Sequence, residues 1–533
     1  MHKMYTSAKS GRKKPSSGEK QLMLAFAAEA KPVSADEQRR LKATQLFNHL
    51  FQACNILRGP INQDEFKAYV IPILFLKRIS DCYDEETAAA KAKYGADISL
   101  YSEEELHPFK MPTGCHWSDI RGKSEDLGKA IVDAMMELEN VNPDSMAGLF
   151  SSFDDANWTD KRKLSDELLR DLIEHMSSVR VGNADYSADI MGDAYEYLLK
   201  KFADLQKKNA GEFYTPRTIV KLMVEMLAPK PGDTVYDPAC GTGGMLIEAI
   251  RQIGGREDVY GRIFGQEKNL STSAIARMNL FLHGAQEFAI QQGDTLRNPQ
   301  FKSGGKLRTF DCVLANPPFG LSGWGAAVFE DDQYGRCIWG VPPDSNADYA
   351  WLQHMTVSMK PKTGRCAVVM PQGVLFHGGK EGEMRRKMIE TDKLECVINL
   401  VGGVFFGAGV SACILYFNNN KSAAHRGKVC LIDATKIYTA KRAQNEMSEE
   451  DIARVYKLWT DYADVKDYVK IVSLDDLAAH DFTLAVNTYV EKTEAAAIDP
   501  KEVRKSFAAA LEEVRTSEAA LMEVLVKGGF VHV

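Results

Sequence analysis

Beyond Gly211 the sequence alternates short, β-branched apolar runs with longer stretches of helical periodicity, and that alternation leaves few folds open. Thr234–Asp237, Arg262–Gln266, Phe288–Gln291, Phe310–Ala315, Cys366–Met370, Glu395–Leu400 and Ser411–Phe417 read as strands. Met245–Gln252, Ser271–Leu282, Ala347–Met359 and Glu383–Glu390 read as the helices between them. Strand and helix in turn predict an α/β fold: a mostly parallel sheet with helices on both faces.

The rest of the chain has a different texture. From about 35 to 203 it reads as mostly helical, with Leu46, Leu50, Cys54 and Leu57, then Phe66, Val70, Ile73 and Leu74, at helical spacing. Leu164–Met176 and Ile190–Phe202 continue the pattern, and turns at Arg58-Gly59-Pro60 and Met111–Gly114 separate the helices. Near the end, Val503, Phe507, Leu511, Val514, Leu521 and Leu525 form one helical stripe. The expected organisation is a flexible or appended basic tail (1–34), an all-α N-terminal domain (35–185), the sheet domain (186–490) and a partner-docking helical tail (491–533). Local packing is the alternative for that last stripe.

Composition sets limits on function. With 45% hydrophobic and 26% charged residues in 533, the chain is that of a globular protein. Its 66 basic and 73 acidic residues leave a net charge of −7, so any grip on a phosphate backbone must rest on a local basic patch or a partner. Ten cysteines without a CxxC pair argue against a zinc module and for reduced thiols in a cytoplasmic protein; no metal is expected. Leu22–Ala28 is too short for a signal-peptide core. Cys396–Phe417 is uncharged and long, but Asn399, Gly402, Gly403, Gly407 and Gly409 break it, so it reads as two buried strands and not as a membrane span.

Two turns carry the chemistry. The first, Tyr236-Asp237-Pro238-Ala239-Cys240-Gly241-Thr242-Gly243-Gly244, follows a strand and opens a helix. Its glycines let a ligand approach the backbone, and the helix start offers free N–H groups. Glu267, 24 positions beyond Gly243 at the end of the next strand, suits two ribose hydroxyls. Together they point to a nucleoside, without separating NAD from S-adenosylmethionine; a bland turn and a solvated glutamate are the alternatives. The second turn, Asn316-Pro317-Pro318-Phe319, follows a buried strand. Two prolines stop the ladder and freeze the turn, presenting the Asn316 side-chain oxygen and the Pro317 carbonyl as convergent acceptors beside the flat face of Phe319.

Asn-Pro-Pro-Phe downstream of an Asp-Pro-x-x-Gly-x-Gly turn resembles the amino-methyltransferases, and Gly211–Arg217 ahead of both resembles the adenine-N6 DNA methyltransferases. With Asp189–Leu199, Gly340-Val341-Pro342-Pro343, Asn346-Ala347-Asp348 and Met370-Pro371-Gln372-Gly373, the set is similar to the methyltransferase (modification) subunit of type I restriction-modification systems over about residues 40–490. The resemblance implies a Rossmann-like core with a seven-stranded-type sheet, S-adenosyl-L-methionine as cofactor, and site-specific methylation of the N6 amino group of a flipped-out adenine. It implies DNA, a specificity subunit and a second copy of the chain as partners, and leaves open a restriction subunit. Glu212, Phe213, Tyr214, Thr215, Pro216 and Arg217 would surround the methionine portion of the cofactor. Asp237, Ala239, Gly241, Thr242, Gly243 and Gly244 would form the turn, Glu267 would hold the ribose and Asp294 the adenine amino group. Asn316, Pro317, Pro318 and Phe319 would be catalytic.

The long stretch Gly320–Asp344, with Trp324, Phe329, Tyr334 and Trp339, is expected to close over the flipped base, disorder being the alternative. Other functions fit less well. A protein-glutamine N5-methyltransferase would share the Asn-Pro-Pro-aromatic turn but not the upstream segment or the length. A non-catalytic scaffold would not need an intact Asn316–Phe319 turn, and an NAD oxidoreductase leaves that turn unexplained.

Overall fold

The computed structural model describes residues 35–527, apart from 64, 108, 147, 154–155, 188–189, 192–193, 195–196, 199–214, 255–260, 284, 286, 406–410, 441–444 and 494–499. The basic tail, Glu212, Phe213 and Tyr214 lie outside the described residues, as does part of Asp189–Leu199.

The N-terminal region is helical, built on α1 (Ala35–Leu57), α2 (Phe66–Tyr94), α3 (Leu127–Val141) and α4 (Asp166–Ser177). Helix α2 buries Val70, Ile71, Ile73, Leu74 and Phe75 completely. Arg78 and Asp81 of this helix are buried too, because they replace solvent with the backbone of 181–186, the segment leading toward the sheet. Arg78 donates to the carbonyls of Val181 and Tyr186 and, at 2.6 Å, to Asn183 Oδ1. Asp81 pairs with Lys77 and accepts from the Val181 N–H at 2.8 Å. Buried charges survive only when satisfied in this way.

The second half forms a nine-stranded sheet in the order β11-β10-β8-β9-β7-β6-β1-β2-β3. Its strands are β1 (Val235–Asp237), β2 (Ile263–Glu267), β3 (Phe288–Gln292), β6 (Cys312–Ala315), β7 (Arg365–Pro371), β8 (Leu394–Asn399), β9 (Ala412–Asn418), β10 (Lys428–Asp433) and β11 (Val469–Ser473); β4 (Lys302–Ser303) and β5 (Lys306–Leu307) make a separate small hairpin. Pairing is parallel from β3 through β2, β1 and β6 to β7. Antiparallel β9 is inserted between β7 and β8. The expected seven-stranded arrangement is thus present, and it is extended by β10, parallel to β8, and by antiparallel β11.

Strand periodicity divides two cores. Ala412, Ile414 and Tyr416 of β9 face one, with α5 (Arg217–Leu227) and α6 (Gly244–Ile253), while Cys413, Leu415 and Phe417 face the other. Helix α7 (Leu270–Leu282) serves two regions: Ala276 and Leu280 join the sheet core, and Ala274, Ile275, Met278 and Leu282 join the N-terminal core. On the opposite face lie α8 (Asp348–Val357) and α9 (Gly379–Glu390), whereas α10 (Glu449–Asp461), after β10, packs Ile452 and Val455 into the core of α5 and α6.

Cys396–Phe417 holds β8 and β9, as expected of two buried strands, and no helix among the described residues is long and apolar enough to cross a membrane. All ten cysteines are free thiols. The final helix, α11 (Pro500–Lys527), leaves its apolar stripe in solvent, with Phe507 68% and Leu521 58% exposed.

Candidate active site

The site lies at the carboxyl ends of the parallel strands, where ligands bind in such sheets. Strand β1 delivers Asp237, which is buried; its Oδ1 accepts from the Ala239 N–H two residues on (3.0 Å) and so folds the start of the turn. Burial, reinforced by the nearby charge of Glu267, pushes the Asp237 carboxyl up to about 8. Gly241 and Gly243 hold φ values of +52° and +82°, where a side chain would be strained. Gly243 begins α6 without a side-chain cap, and a Cβ on Gly241 or Gly244 would meet nothing within 4 Å, so the backbone there is open to a ligand.

Glu267, at the end of β2, reaches this turn directly. Its Oε2 accepts from the Gly241 N–H at 3.0 Å and its Oε1 from the Asn269 N–H at 2.8 Å. Gly265 sits in tight packing: a Cβ there would lie 2.6 Å from Ile290 Cδ1, which would have to shift. Asp294 follows β3 and accepts from the N–H groups of Leu296 (3.2 Å) and Arg297 (3.3 Å), while its other oxygen pairs with Lys268 at 2.9 Å.

Three supporting residues escape sequence reasoning. Buried Gln266 donates to the carbonyls of Gly293 (3.1 Å) and Asn298 (3.0 Å). Asn279 of α7 donates to the Thr242 carbonyl at 3.0 Å, and Thr295 donates to that of Pro238 at 2.6 Å. Each fixes a loop by its backbone, so only the fold reveals the partner.

The second turn leaves the middle of the sheet. Strand β6 runs between β1 and β7 and ends at Ala315, immediately before Asn316. Asn316 Nδ2 donates to Thr215 Oγ1 at 2.9 Å, whereas its buried Oδ1 has no hydrogen-bond partner among the described residues. Pro317 is buried, and half-buried Phe319 packs against the α5–α6 core. The Gly320 N–H donates to Asp348 Oδ1 (3.0 Å), a buried carboxylate at the start of α8, which anchors the exit of the turn.

The stretch after this turn corrects the expected base-closing loop. Trp324, Phe329 and Trp339 are buried within the protein, so they are packing residues and not a free stacking surface. Arg336, fully buried, pairs with Asp332 at 2.6 Å and donates to the carbonyls of Thr295 (3.1 Å) and Leu296 (2.9 Å). Its cation lies 5.1 Å from the Phe329 ring centre. The loop is thereby tied to the segment carrying Asp294. Behind it, His354 contacts Tyr236 Oη at 3.2 Å, and burial together with the Arg336 charge keeps its imidazole neutral.

Of the expected site residues, the fold joins Thr215 to Asn316 and Glu267 to Gly241, and sets Asp237 and Ala239 in the same turn. Pro216 and Arg217 start α5, and Asp294 sits on the adjacent loop. Glu212, Phe213 and Tyr214 fall outside the described residues.

A mostly parallel sheet carrying a glycine turn after β1 and an Asn-Pro-Pro-Phe turn after β6 has the architecture of a Rossmann-like methyltransferase. Residues 186–497 match the N-6 DNA Methylase family and residues 46–176 the HsdM N-terminal domain. The HindI type I restriction enzyme methylase subunit of Haemophilus influenzae is 30% identical over 417 residues, covering 72% of this chain and 90% of that protein. The MjaVIII methylase subunit of Methanocaldococcus jannaschii is 29% identical over 487 residues, covering 87% and 81%. The crystal structure of a type I restriction-modification methyltransferase subunit from Streptococcus thermophilus superposes with a TM-score of 0.72 at 26% identity, covering 84% of this chain and all of that one. The chain belongs to the N-6 DNA methylase family, as a methyltransferase subunit of the type I restriction-modification kind.

Proposed function

We propose that this chain transfers the methyl group of S-adenosyl-L-methionine to the N6 amino group of an adenine flipped out of DNA, at a sequence chosen by a separate specificity subunit. The observation that carries the reading is the Asn316 amide: its nitrogen is occupied by Thr215, and its oxygen is buried and has no hydrogen-bond partner among the described residues. An unpaired buried acceptor is costly unless a ligand completes it.

The residues fit the cofactor. The glycine turn offers open backbone at an uncapped helix start, and Glu267 stands beside it as a carboxylate able to receive ribose hydroxyls. Thr215, Pro216 and Arg217, with Glu212, Phe213 and Tyr214, would enclose the methionine end, and Asp294 would receive the adenine amino group. When bound, S-adenosyl-L-methionine supplies an already activated methyl group, so the protein must position a nucleophile in line with it.

An aromatic amino nitrogen is a weak nucleophile because its lone pair is delocalised into the ring. Asn316 Oδ1 and the Pro317 carbonyl accept its two hydrogens, favour a pyramidal nitrogen and stabilise the positive charge that develops there. No strong base is required, since the methylated nitrogen loses its proton readily, which suits an asparagine. Phe319 stacks on the extruded base, a contact worth about 1–3 kcal/mol.

A net charge of −7 does not supply a general grip on duplex DNA, which supports reliance on partners. In this reading 35–185 is an assembly domain, 186–490 the catalytic domain, and the exposed stripe of α11 docks the specificity subunit in a cytoplasmic complex that also contains a second copy of the chain. Labelled-methyl transfer to DNA, with and without the specificity subunit, tests it. N6-methyladenine formed only with both subunits is the expected result; label on protein instead would overturn it. Deleting 499–533 should abolish co-elution with the specificity subunit, and undiminished co-elution would remove the docking role.

A further inference from the structure

We infer that Thr215 is a positioning residue that engages the nitrogen of the Asn316 amide and so leaves the amide oxygen for the reacting nitrogen. The inference rests on the proposed methyl transfer and adds to it a requirement for one hydroxyl group.

A primary amide presents an acceptor and a donor of nearly equal size, and rotation about its last torsion exchanges them. Only the oxygen can receive an amino hydrogen. Turned the other way, the Asn316 N–H groups would point at the N–H groups of the substrate, and the turn would repel what it must bind. The prolines freeze the backbone but do not govern this rotation. Thr215 bears on it: its Oγ1 lies 2.9 Å from Asn316 Nδ2 and accepts from it, which leaves Oδ1 buried and without a partner among the described residues.

Both ends of the contact are held by the same core. Thr215 precedes Pro216, which restricts it to extended backbone, and the Pro216 carbonyl accepts from the Val220 N–H at 3.1 Å as α5 begins. Ile219, Leu222 and Met223 of α5 pack with Cys312 and Leu314 of β6, the strand that leads into Asn316. Helix and strand therefore carry the hydroxyl and the amide as one unit, across 101 positions of sequence.

The test compares Thr215→Val and Thr215→Ser in the full chain with its specificity subunit, using unmethylated bacterial genomic DNA and labelled S-adenosyl-L-methionine. Single-turnover methyl transfer at saturating cofactor should fall about tenfold in Thr215→Val, the expected effect of losing one orienting hydrogen bond. Thr215→Ser, which restores only the hydroxyl, should recover most of the rate. Should valine disturb the start of α5, Thr215→Ala removes the same group without adding apolar volume and should be equally slow. An undiminished rate in the hydroxyl-less variants, a loss that vanishes on saturating the cofactor, or a serine variant as slow as valine would each overturn the role. Failure of the unaltered complex to methylate DNA would instead overturn the proposed function itself.

Discussion

The turns after β1 and β6 occupy equivalent ends of neighbouring parallel strands, yet they are finished in opposite ways. The turn after β1 is flexible in composition and closed by its own neighbours: Asp237 holds Ala239, Glu267 holds Gly241, and Asn279 holds the Thr242 carbonyl. The turn after β6 is rigid in composition and left open, with Asn316 Oδ1 lacking a partner among the described residues. Glycine permits close approach of a ligand but must be held from outside, whereas proline holds itself and frees its neighbour's side chain for chemistry. A cofactor seat and a reacting centre call for these two different solutions.

Removing the open acceptor should produce the largest effect. Asn316→Ala should lower methyl transfer by at least about 10²–10³-fold, the cost of losing a charge-stabilising group, while cofactor titration stays within a few-fold. Near-normal turnover would erase the contrast between the two turns. Next comes the joint between them: Arg336→Met strands Asp332 as a buried unpaired charge and frees the loop from Thr295 and Leu296. A loss of about 3–5 kcal/mol in denaturant unfolding is expected, and a change under 1 kcal/mol would show that the loop is not anchored there. Glu267→Ala should be milder. It removes a charged acceptor from the closed turn and should raise the cofactor Kd about 10–100-fold by calorimetry, with unchanged affinity removing the ribose assignment.

The same contrast governs what was legible from residues alone. Asn316–Phe319 stood out because paired prolines directly after a buried apolar run have few uses, and Glu267 because it ends the strand after a glycine turn. Thr295, Gln266 and Asn279 did not stand out, since their partners are backbone carbonyls 27 to 57 positions away. Arg336 and Asp332 did not stand out, since a spacing of four residues suits a surface pair equally well; burial, invisible in sequence, makes them structural. Trp324, Phe329 and Trp339 misled in the other direction, because aromatic content cannot say whether a ring faces a ligand or a core. Strands β10 and β11 were missed because each is a short run set among charged segments, defined chiefly by its pairing with β8 or β10.

A separate effect is expected in the pH dependence of the closed turn. Burial holds the Asp237 carboxyl near 8 in the folded protein, against an ordinary value near 3.8. Between those values the folded state binds the proton more tightly than the unfolded chain does. The contribution of this group to stability is therefore complete below about pH 4 and is lost as pH rises toward 8. Asp237→Asn keeps an oxygen for the Ala239 N–H and has no proton to lose. The melting temperature of the unaltered protein should consequently fall, relative to Asp237→Asn, between pH 5 and 8, with the two alike near pH 4. Parallel melting curves across that range would mean that Asp237 is ionised throughout, and that the closed turn tolerates a full charge beside Glu267.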